Sequence, residues 1–197
     1  MLYMQESYPE HSPLQTEQQK LMEQMDTMSH TEGYALLTEN QRRLLEQSLY
    51  VQARSERPGS YVKYKTSKKH VHCWNCHYSV ANLEEGKGLS AERDSTPEEF
   101  FTADYRKVED ITELKNFLES FAFPLVLQIS ATPDGGLNNI WHSCLVLGHG
   151  KKGELVVWEK KNPEEPYRVT SLEEVYNYYK DYGNVYWGAR KLAAKQE

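Results

Sequence analysis

The stretch from residue 70 to residue 80 holds most of the side chains in this chain that could do chemistry. Three of the seven histidines and two of the three cysteines fall within it, in the sequence HVHCWNCHYSV. Thiols and imidazoles together serve as nucleophile and base, as metal ligands, as a redox dithiol, or as an attachment site for haem. The rest of the sequence has to decide among these four chemistries.

Cys76 is the cysteine best placed to act as a nucleophile. Apolar residues follow it at helical spacing as far as Gly86, which predicts a helix of about ten residues that begins at Cys76. That spacing is formed by Val80, Ala81 and Leu83. The free N–H groups and the dipole at a helix N-terminus lower the pKa of a thiol. We therefore expect Cys76 to be the reactive thiol.

A thiol nucleophile also needs an imidazole to carry its proton and a third polar group to orient that imidazole. His142 is the candidate imidazole, because it is a polar residue near the start of an apolar strand pattern. A tight hairpin at residues 150 to 153 would bring about Lys161 opposite His142. A small change of turn, or a bulge, brings Glu159 or Asn162 alongside instead. Glu159 is the first choice for the orienting group, and Asn162 is the second.

The elements that must position these residues predict an α+β domain, with helices first and an antiparallel sheet after them. Two helices precede the central stretch, and capping-box patterns at Thr38 and Ser171 mark two of the helix starts. Before Cys76 we predict helices at 13 to 30 and 38 to 56 and a short strand at 61 to 65. After the Cys76 helix we predict a polar surface segment with one short helix at 86 to 108, a helix at 110 to 121, strands at 124 to 130, 141 to 147, 155 to 160 and 167 to 169, a helix at 171 to 182 and a strand at 185 to 187.

The domain organisation expected from this order has three parts. Residues 1 to 12 form a flexible tail, residues 13 to 56 a helical N-terminal extension, and residues 57 to 197 the catalytic domain. The apolar stripe of the extension is expected to pack on the domain that follows. Recognition of a protein partner and a lid over the cleft are the other roles considered for it.

Composition limits the function classes. The chain has 197 residues with 39% hydrophobic and 26% charged residues, which is typical of a globular domain. A net charge of −6 argues against a general nucleic-acid binder. The sequence contains no apolar run of about 18 residues and no signal-peptide pattern, so we expect no membrane partner. We expect a cytoplasmic protein, or an effector that is exported without a signal peptide.

These residues together resemble the papain-like cysteine hydrolases. The resemblance rests on Cys73-Trp-Asn-Cys76 at a helix start, on His142 followed by Ser-Cys-Leu-Val-Leu-Gly-His-Gly on one strand, and on Leu-Val-Val-Trp-Glu-Lys on the next. It covers about residues 70 to 190. The separation of 66 residues between Cys76 and His142 is closer to the compact CHAP-type and NlpC-type amidases and to effector deamidases than to papain.

The resemblance implies a thiol hydrolase that cleaves an amide and needs no cofactor or metal. Its substrate would be a peptide or protein, a peptidoglycan stem, or a glutamine side chain. The glutamine that papain uses in its oxyanion hole is absent from this sequence. His70 stands six residues before the nucleophile in its place, so His70, Asn75 and the N–H of Cys76 are the expected oxyanion donors.

Three alternative functions rest on the same cysteine and histidine residues. A zinc-stabilised binding module would bind the ion through Cys73, Cys76, His142 and Cys144, since Cys73 and Cys76 have knuckle spacing and the other two share a strand face. The string from Cys73 to His77 also fits covalent haem attachment, and Cys73 with Cys76 fits a redox dithiol.

Overall fold

The computed structural model describes residues 13–53, 76–89, 98–101, 103–136, 139–161 and 165–193. Six α-helices and one 3-10 helix occur in this part of the chain. They are α1 (Pro13–Ser29), α2 (Glu32–Leu36), α3 (Glu39–Ala53), α4 (Cys76–Glu84), the 3-10 helix (Glu98–Phe101), α5 (Ile111–Glu119) and α6 (Leu172–Tyr179). The six strands are β1 (Asp104–Arg106), β2 (Leu125–Ser130), β3 (Ile140–His149), β4 (Leu155–Lys160), β5 (Tyr167–Ser171) and β6 (Tyr186–Lys191).

The six strands form one antiparallel sheet in the order β1-β6-β2-β3-β4-β5. Successive residues of β3 point to opposite faces, so Leu145 and Leu147 pack in one apolar cluster and Cys144 and Val146 in the other. Residues of α1, α3 and α4 join the first cluster, and residues of α5 and α6 join the second. The predicted α+β class with an antiparallel sheet is confirmed, and helices cover both faces of the sheet.

β3 and β4 part from each other halfway along the sheet. They pair from His149 and Leu155 as far as Leu145 and Trp158, with Leu147 as an extra, bulged residue. Beyond that point β3 continues on β2 as far as Ile140, while β4 continues on β5 to its end. The ladder between β3 and β4 therefore ends before the start of β3 and before the end of β4.

The N-terminal helices pack on the sheet through the stripe that the sequence predicted to be buried. Met28, Leu45 and Leu49 lie in the same apolar cluster as the strand residues Leu147 and Trp158. These contacts place α1 and α3 against the sheet face that also holds α4. Residues 1 to 12 and 54 to 56, which belong to the predicted tail and extension, lie outside the described part.

The capping box predicted for the second helix is confirmed. The Gln41 N–H donates to Thr38 Oγ1 at 3.2 Å, and the Thr38 N–H donates to Gln41 Oε1 at 3.1 Å. Ser171 caps α6 in the same way by accepting from the Glu174 N–H. The short helix α2, between the two predicted helices, was not predicted.

α4 is fixed at its C-terminal end by an ion pair. The guanidinium of Arg190 on β6 binds both carboxylate oxygens of Glu84, at 2.5 and 2.8 Å. Glu84 also accepts from the N–H of Ala193 at 3.0 Å, and the Asn82 side chain donates to the Leu89 carbonyl at 3.1 Å. The last turn of α4 is therefore fixed to β6 and to the loop that follows the helix.

The prediction for residues 86 to 108 was partly wrong. Phe100 and Phe101, within the short helix predicted there, are buried in the cluster that holds α4, and Leu89 is buried with them. A short run of aromatic residues within an acidic sequence shows neither the helical nor the strand period of apolar residues. The sequence pattern therefore does not indicate that these residues are buried. Strand β1 was also missed, and it makes β6 an interior strand between β1 and β2.

The other predicted elements agree with the structure within a few residues. α5 and α6 are each shorter than predicted by up to three residues at their C-terminal ends. Residues 61 to 65, predicted as a strand, lie outside the described part. None of the described helices combines the length and the apolar character that a membrane span requires.

Gly33 sets how closely α2 approaches the sheet, and this gives the first prediction. A Cβ at Gly33 would lie 2.2 Å from the carbonyl oxygen of Leu147 and 3.0 Å from the nitrogen of Pro124, both rigid backbone atoms. We expect Gly33→Ala to lower the free energy of unfolding by about 2 kcal/mol, because α2 must move away from β3. Urea denaturation followed by circular dichroism measures this.

The matched control is Gly88→Ala, since a Cβ at Gly88 meets no atom within 4 Å. It should change the free energy of unfolding by less than about 0.5 kcal/mol. Equal effects of the two substitutions would show that the close approach of α2 is not needed for stability.

Candidate functional site

Cys76 is the first residue of α4, so its side chain lies at a helix N-terminus. The thiol is buried and is not in a disulfide. The apolar face of α4 packs on β3 and fixes the direction in which its first residue points. The predicted helix start at Cys76 agrees with the bounds of α4.

His142 on β3 and Glu159 on β4 both lie beyond the point where the ladder between these two strands ends. The His142 Nε2 atom is 2.7 Å from Glu159 Oε2, and both side chains are almost completely buried. On the register of the hairpin, Glu159 is the diagonal neighbour of His142, since Leu145 pairs with Trp158. The expected contact between Glu159 and the imidazole is therefore present.

The second oxygen of Glu159 is bound by Arg168, a residue that the sequence analysis missed. Arg168 is directly opposite Glu159 on β5, and its Nε and Nη2 atoms donate to Oε1 at 2.8 and 2.5 Å. Glu159 Oε1 thus accepts from a cation, and Oε2 faces the imidazole. A buried carboxylate with both oxygens occupied has one orientation, which in turn fixes the ring of His142.

The imidazole is also fixed on its flat side. The Tyr179 ring of α6 stacks on the His142 ring with centroids 5.3 Å apart and an angle of 20° between the planes. The remaining nitrogen, Nδ1, is buried and makes no hydrogen bond within the described part of the chain. It is the nitrogen left to exchange a proton with a thiol.

Cys76 and His142 shift each other's proton affinity. Burial alone would raise the pKa of Cys76, but the imidazoles of His77 and His142 outweigh it and lower the pKa well below the usual value of a thiol. Burial would lower the pKa of His142, but Cys76, Cys144 and Glu159 together hold it well above the usual value of an imidazole. These directions favour a thiolate and an imidazolium as an ion pair.

Glu159 is ionised in this arrangement. Burial raises its pKa, but the hydrogen bond and charge of His142 and the charge of Arg168 outweigh burial, and the pKa lies below the usual value of a carboxyl group. Its negative charge favours the protonated form of His142. Positive and negative charges therefore alternate along the series Arg168, Glu159, His142 and Cys76.

His77 is a second imidazole beside the thiol. Its Nδ1 atom lies 3.8 Å from Cys76 Sγ and 2.8 Å from Ser143 Oγ, and its ring meets Phe101 edge to face. The sequence pattern assigned His77 only to the haem-attachment string from Cys73 to His77. Its position after Cys76 on a helix start was the available signal, but its contact with Ser143 depends on how α4 crosses β3.

Comparisons with protein-family models, with curated proteins and with solved structures gave no match to this chain. The resemblance to papain-like hydrolases therefore rests on the sequence pattern alone.

A possible metal site overlaps these residues. Within the described residues, His142, Cys144 and Glu159 each offer one donor atom, and these atoms lie within 4.8 Å of one another. Thiolate, imidazole and carboxylate are ligands that suit zinc. However, Glu159 Oε2 and His142 Nε2 are bonded to each other, and burial raises the pKa of the Cys144 thiol. The group fits a neutral cysteine beside a hydrogen-bonded pair better than it fits an ion.

The four-ligand zinc site predicted as an alternative is only partly described. Cys76 does not belong to the group of donors around Cys144, and Cys73 lies outside the described residues. His70, Asn75 and Asn162, predicted as oxyanion donors and as the second choice to orient His142, also lie outside them. The roles assigned to these three residues stay predictions.

The first prediction from this site concerns Glu159. The lowered pKa favours the thiolate form of Cys76, so its alkylation should stay fast at pH values where an ordinary thiol reacts slowly, and should slow as the pH falls through that lowered pKa. Glu159→Gln removes the charge that favours the imidazolium, so the midpoint of this fall should move up by roughly one pH unit. The rate of iodoacetamide labelling as a function of pH measures the shift.

The matched control for this experiment is Glu23→Gln, an exposed glutamate on α1 that bonds to Gln19. It should leave the midpoint unchanged. A Glu159→Gln profile identical to that of the unsubstituted protein would show that the carboxylate does not act on the thiol.

The second prediction concerns Arg168. Arg168→Gln removes the cation from a buried carboxylate, so we expect the free energy of unfolding at pH 7 to fall by about 2 kcal/mol, less than for a fully buried pair because Arg168 is partly exposed. The lowered pKa of Glu159 stabilises the fold above the ordinary value of 4.5, and this contribution is lost as the pH falls through the lowered pKa. The difference between the two proteins should therefore shrink in acid.

Urea denaturation at a series of pH values from 7 to 3 measures this difference. Arg43→Gln is the control, because Arg43 is exposed and bonds only to an uncharged side chain, that of Asn40 on its own helix, among the described residues. A loss of stability that stayed constant down to pH 3 would mean that Arg168 acts by packing and not by pairing with Glu159.

Proposed function

We propose that this protein is a cysteine-dependent amide hydrolase of the papain-like type. The observation that carries the proposal is the relation of three side chains. Cys76 begins a helix, its thiolate helps to raise the pKa of His142, and the Nε2 atom of that imidazole is bonded to the buried Glu159. A thiol, an imidazole and an orienting carboxylate in this order are what nucleophilic catalysis by cysteine requires.

The first half of the reaction is acyl transfer to sulfur. The Cys76 thiolate attacks the carbonyl carbon of an amide, and the bond to the leaving nitrogen breaks as His142 gives that nitrogen its proton. The product amine leaves, and a thioester remains on Cys76. The N–H of Cys76, at the start of α4, is the oxyanion donor supplied by the described part of the chain.

The second half is hydrolysis of the thioester. His142, now neutral, takes a proton from water as the water oxygen attacks the thioester carbon. The acid product leaves, and the proton stays on His142 while Cys76 returns to the thiolate. The Glu159 carboxylate acts on both halves by stabilising the imidazolium, and Arg168 acts by holding Glu159.

The substrate class that fits this chemistry is an amide. Peptides or proteins, peptidoglycan stems and glutamine side chains remain the candidates, as the sequence resemblance implied. The zinc-stabilised binding module is the competing function, because the His142, Cys144 and Glu159 donors cluster.

The test begins with the thiols. We expect iodoacetamide at pH 7 to label Cys76 at least ten times faster than Cys144 or Cys73, because Cys76 alone combines a helix start with two neighbouring imidazoles in the described structure. Digestion and mass spectrometry at timed intervals measure each rate. Equal rates, or protection of Cys76 that a chelator removes, would favour the zinc module.

Activity is then compared among matched variants on a panel of peptide arylamides, peptidoglycan fragments and glutamine peptides. His142→Ala should abolish release of amine or ammonia and also lower the melting temperature, because it removes one partner of the buried Glu159 carboxylate. Cys76→Ala should abolish the same release and leave the melting temperature nearly unchanged. Loss of a zinc ligand would instead unfold the surroundings. His77→Ala should retain measurable turnover, because Glu159 orients His142 and not His77.

A further inference from the structure

Exposed aromatic rings gather beside the candidate imidazole. Six large apolar side chains are exposed in the described residues, and they are Met22, Leu36, Tyr50, Trp141, Tyr178 and Tyr182. The last three of these lie close to one another. Trp141, Tyr178 and Tyr182 are 36%, 42% and 51% exposed, and with the buried Tyr179 they form what we call the aromatic cluster. Concentrated exposed apolar surface marks a binding site more often than scattered residues do.

The rings of the aromatic cluster are connected to His142. Tyr182 lies 5.8 Å from Trp141, 5.6 Å from Tyr178 and 5.4 Å from Tyr179, measured between ring centroids. Tyr179 stacks in turn on His142, at 5.3 Å. The exposed aromatic surface is therefore joined to the flat face of the His142 ring through Tyr179.

A bulge in the sheet presents Trp141 to solvent. On the ladder between β2 and β3, Ile129 pairs with His142 but Ser130 pairs with Ile140, so Trp141 is an extra residue with no partner on β2. Ile140 and His142 on either side of it are buried. Bulges redirect side chains next to active sites, and this one places an indole at the surface one residue from the imidazole.

We propose that the aromatic cluster is a substrate-binding subsite that takes an apolar side chain, aromatic in preference, of a peptide at the residue whose carbonyl is attacked. The proposal rests on the proposed function, since it names the substrate of that same site. Of the candidate amides, it selects peptides over glutamine side chains and peptidoglycan.

The angles between the rings favour a side chain over a sugar. A sugar ring stacks on one flat aromatic face, whereas Tyr182 is inclined by 51° to Trp141, by 40° to Tyr178 and by 50° to Tyr179. Inclined rings contact a phenyl or branched side chain both face-on and edge-on. The ammonium of Lys161 lies 3.9 Å from the centre of the Tyr178 ring and covers that ring, so Trp141 and Tyr182 are the positions to test.

The experiment uses two thiol-reactive probes on the full chain, acetyl-phenylalanine chloromethyl ketone and acetyl-glycine chloromethyl ketone. Each forms a bond from its methylene carbon to the Cys76 sulfur and releases chloride. We expect the phenylalanine probe to inactivate Cys76 at least tenfold faster, the discrimination that an apolar pocket gives. Trp141→Ala and Tyr182→Ala should each bring this ratio several-fold closer to one.

Tyr50→Ala is the control, since Tyr50 is an exposed tyrosine on α3 outside the aromatic cluster, and it should keep the ratio. Iodoacetamide, which has no side chain, should label Cys76 equally fast in all four proteins. This separates the two proposals: slow, unselective iodoacetamide labelling overturns the proposed function. Fast labelling without a preference for phenylalanine, or with a preference that both variants keep, overturns the subsite alone.

A last arm tests the sugar. A disaccharide peptide from peptidoglycan that protected Cys76 from iodoacetamide better than acetyl-phenylalanine amide, with protection lost in Trp141→Ala, would overturn the assignment to a peptide side chain. Protection by acetyl-phenylalanine amide alone supports it.

Discussion

The hydrogen bond between His142 and Glu159 connects two strands that no longer pair with each other. A carboxylate that is 1% exposed stays ionised only when its charge is compensated, and Glu159 has the imidazole on one oxygen and Arg168 on the other. Because Arg168 comes from β5, the third strand in the series β3, β4, β5, the position of the imidazole depends on the register of two separate ladders. A slip of one residue in either would turn a charged side chain to the wrong face.

The parting of β3 and β4 explains how side chains from opposite layers meet. His142 faces the layer of α6, where Tyr179 stacks on it, whereas His77 of α4 reaches Ser143 on the other face of the same strand. A continuous ladder would separate the two layers by the thickness of the sheet. Beyond the end of this ladder, Cys76 and His142 are close enough for each to shift the pKa of the other.

Local signals were sufficient for much of the fold and for part of the site. The helix starts at Thr38, Cys76 and Ser171 follow from capping and from helical spacing, and Glu159 follows from the length of a hairpin. Arg168 could not be found in this way, because its role depends on the pairing of β4 with β5 across a connection of no regular pattern. The exposed position of Trp141 depends on a bulge, which leaves no trace in the alternation of a strand that is buried on both faces.

The ion pair between Glu84 and Arg190 has a consequence for the opposite end of α4. A helix of nine residues is roughly 14 Å long and behaves as a stiff rod, so a bond that fixes its last turn also sets the tilt of the rod. Cys76 lies at the other end of α4, where a small change in the tilt of the helix produces the largest lateral displacement. Selection for the position of the Cys76 thiol would therefore also act on Glu84 and Arg190, and an inherited change at either would be compensated most simply by a second change at the other.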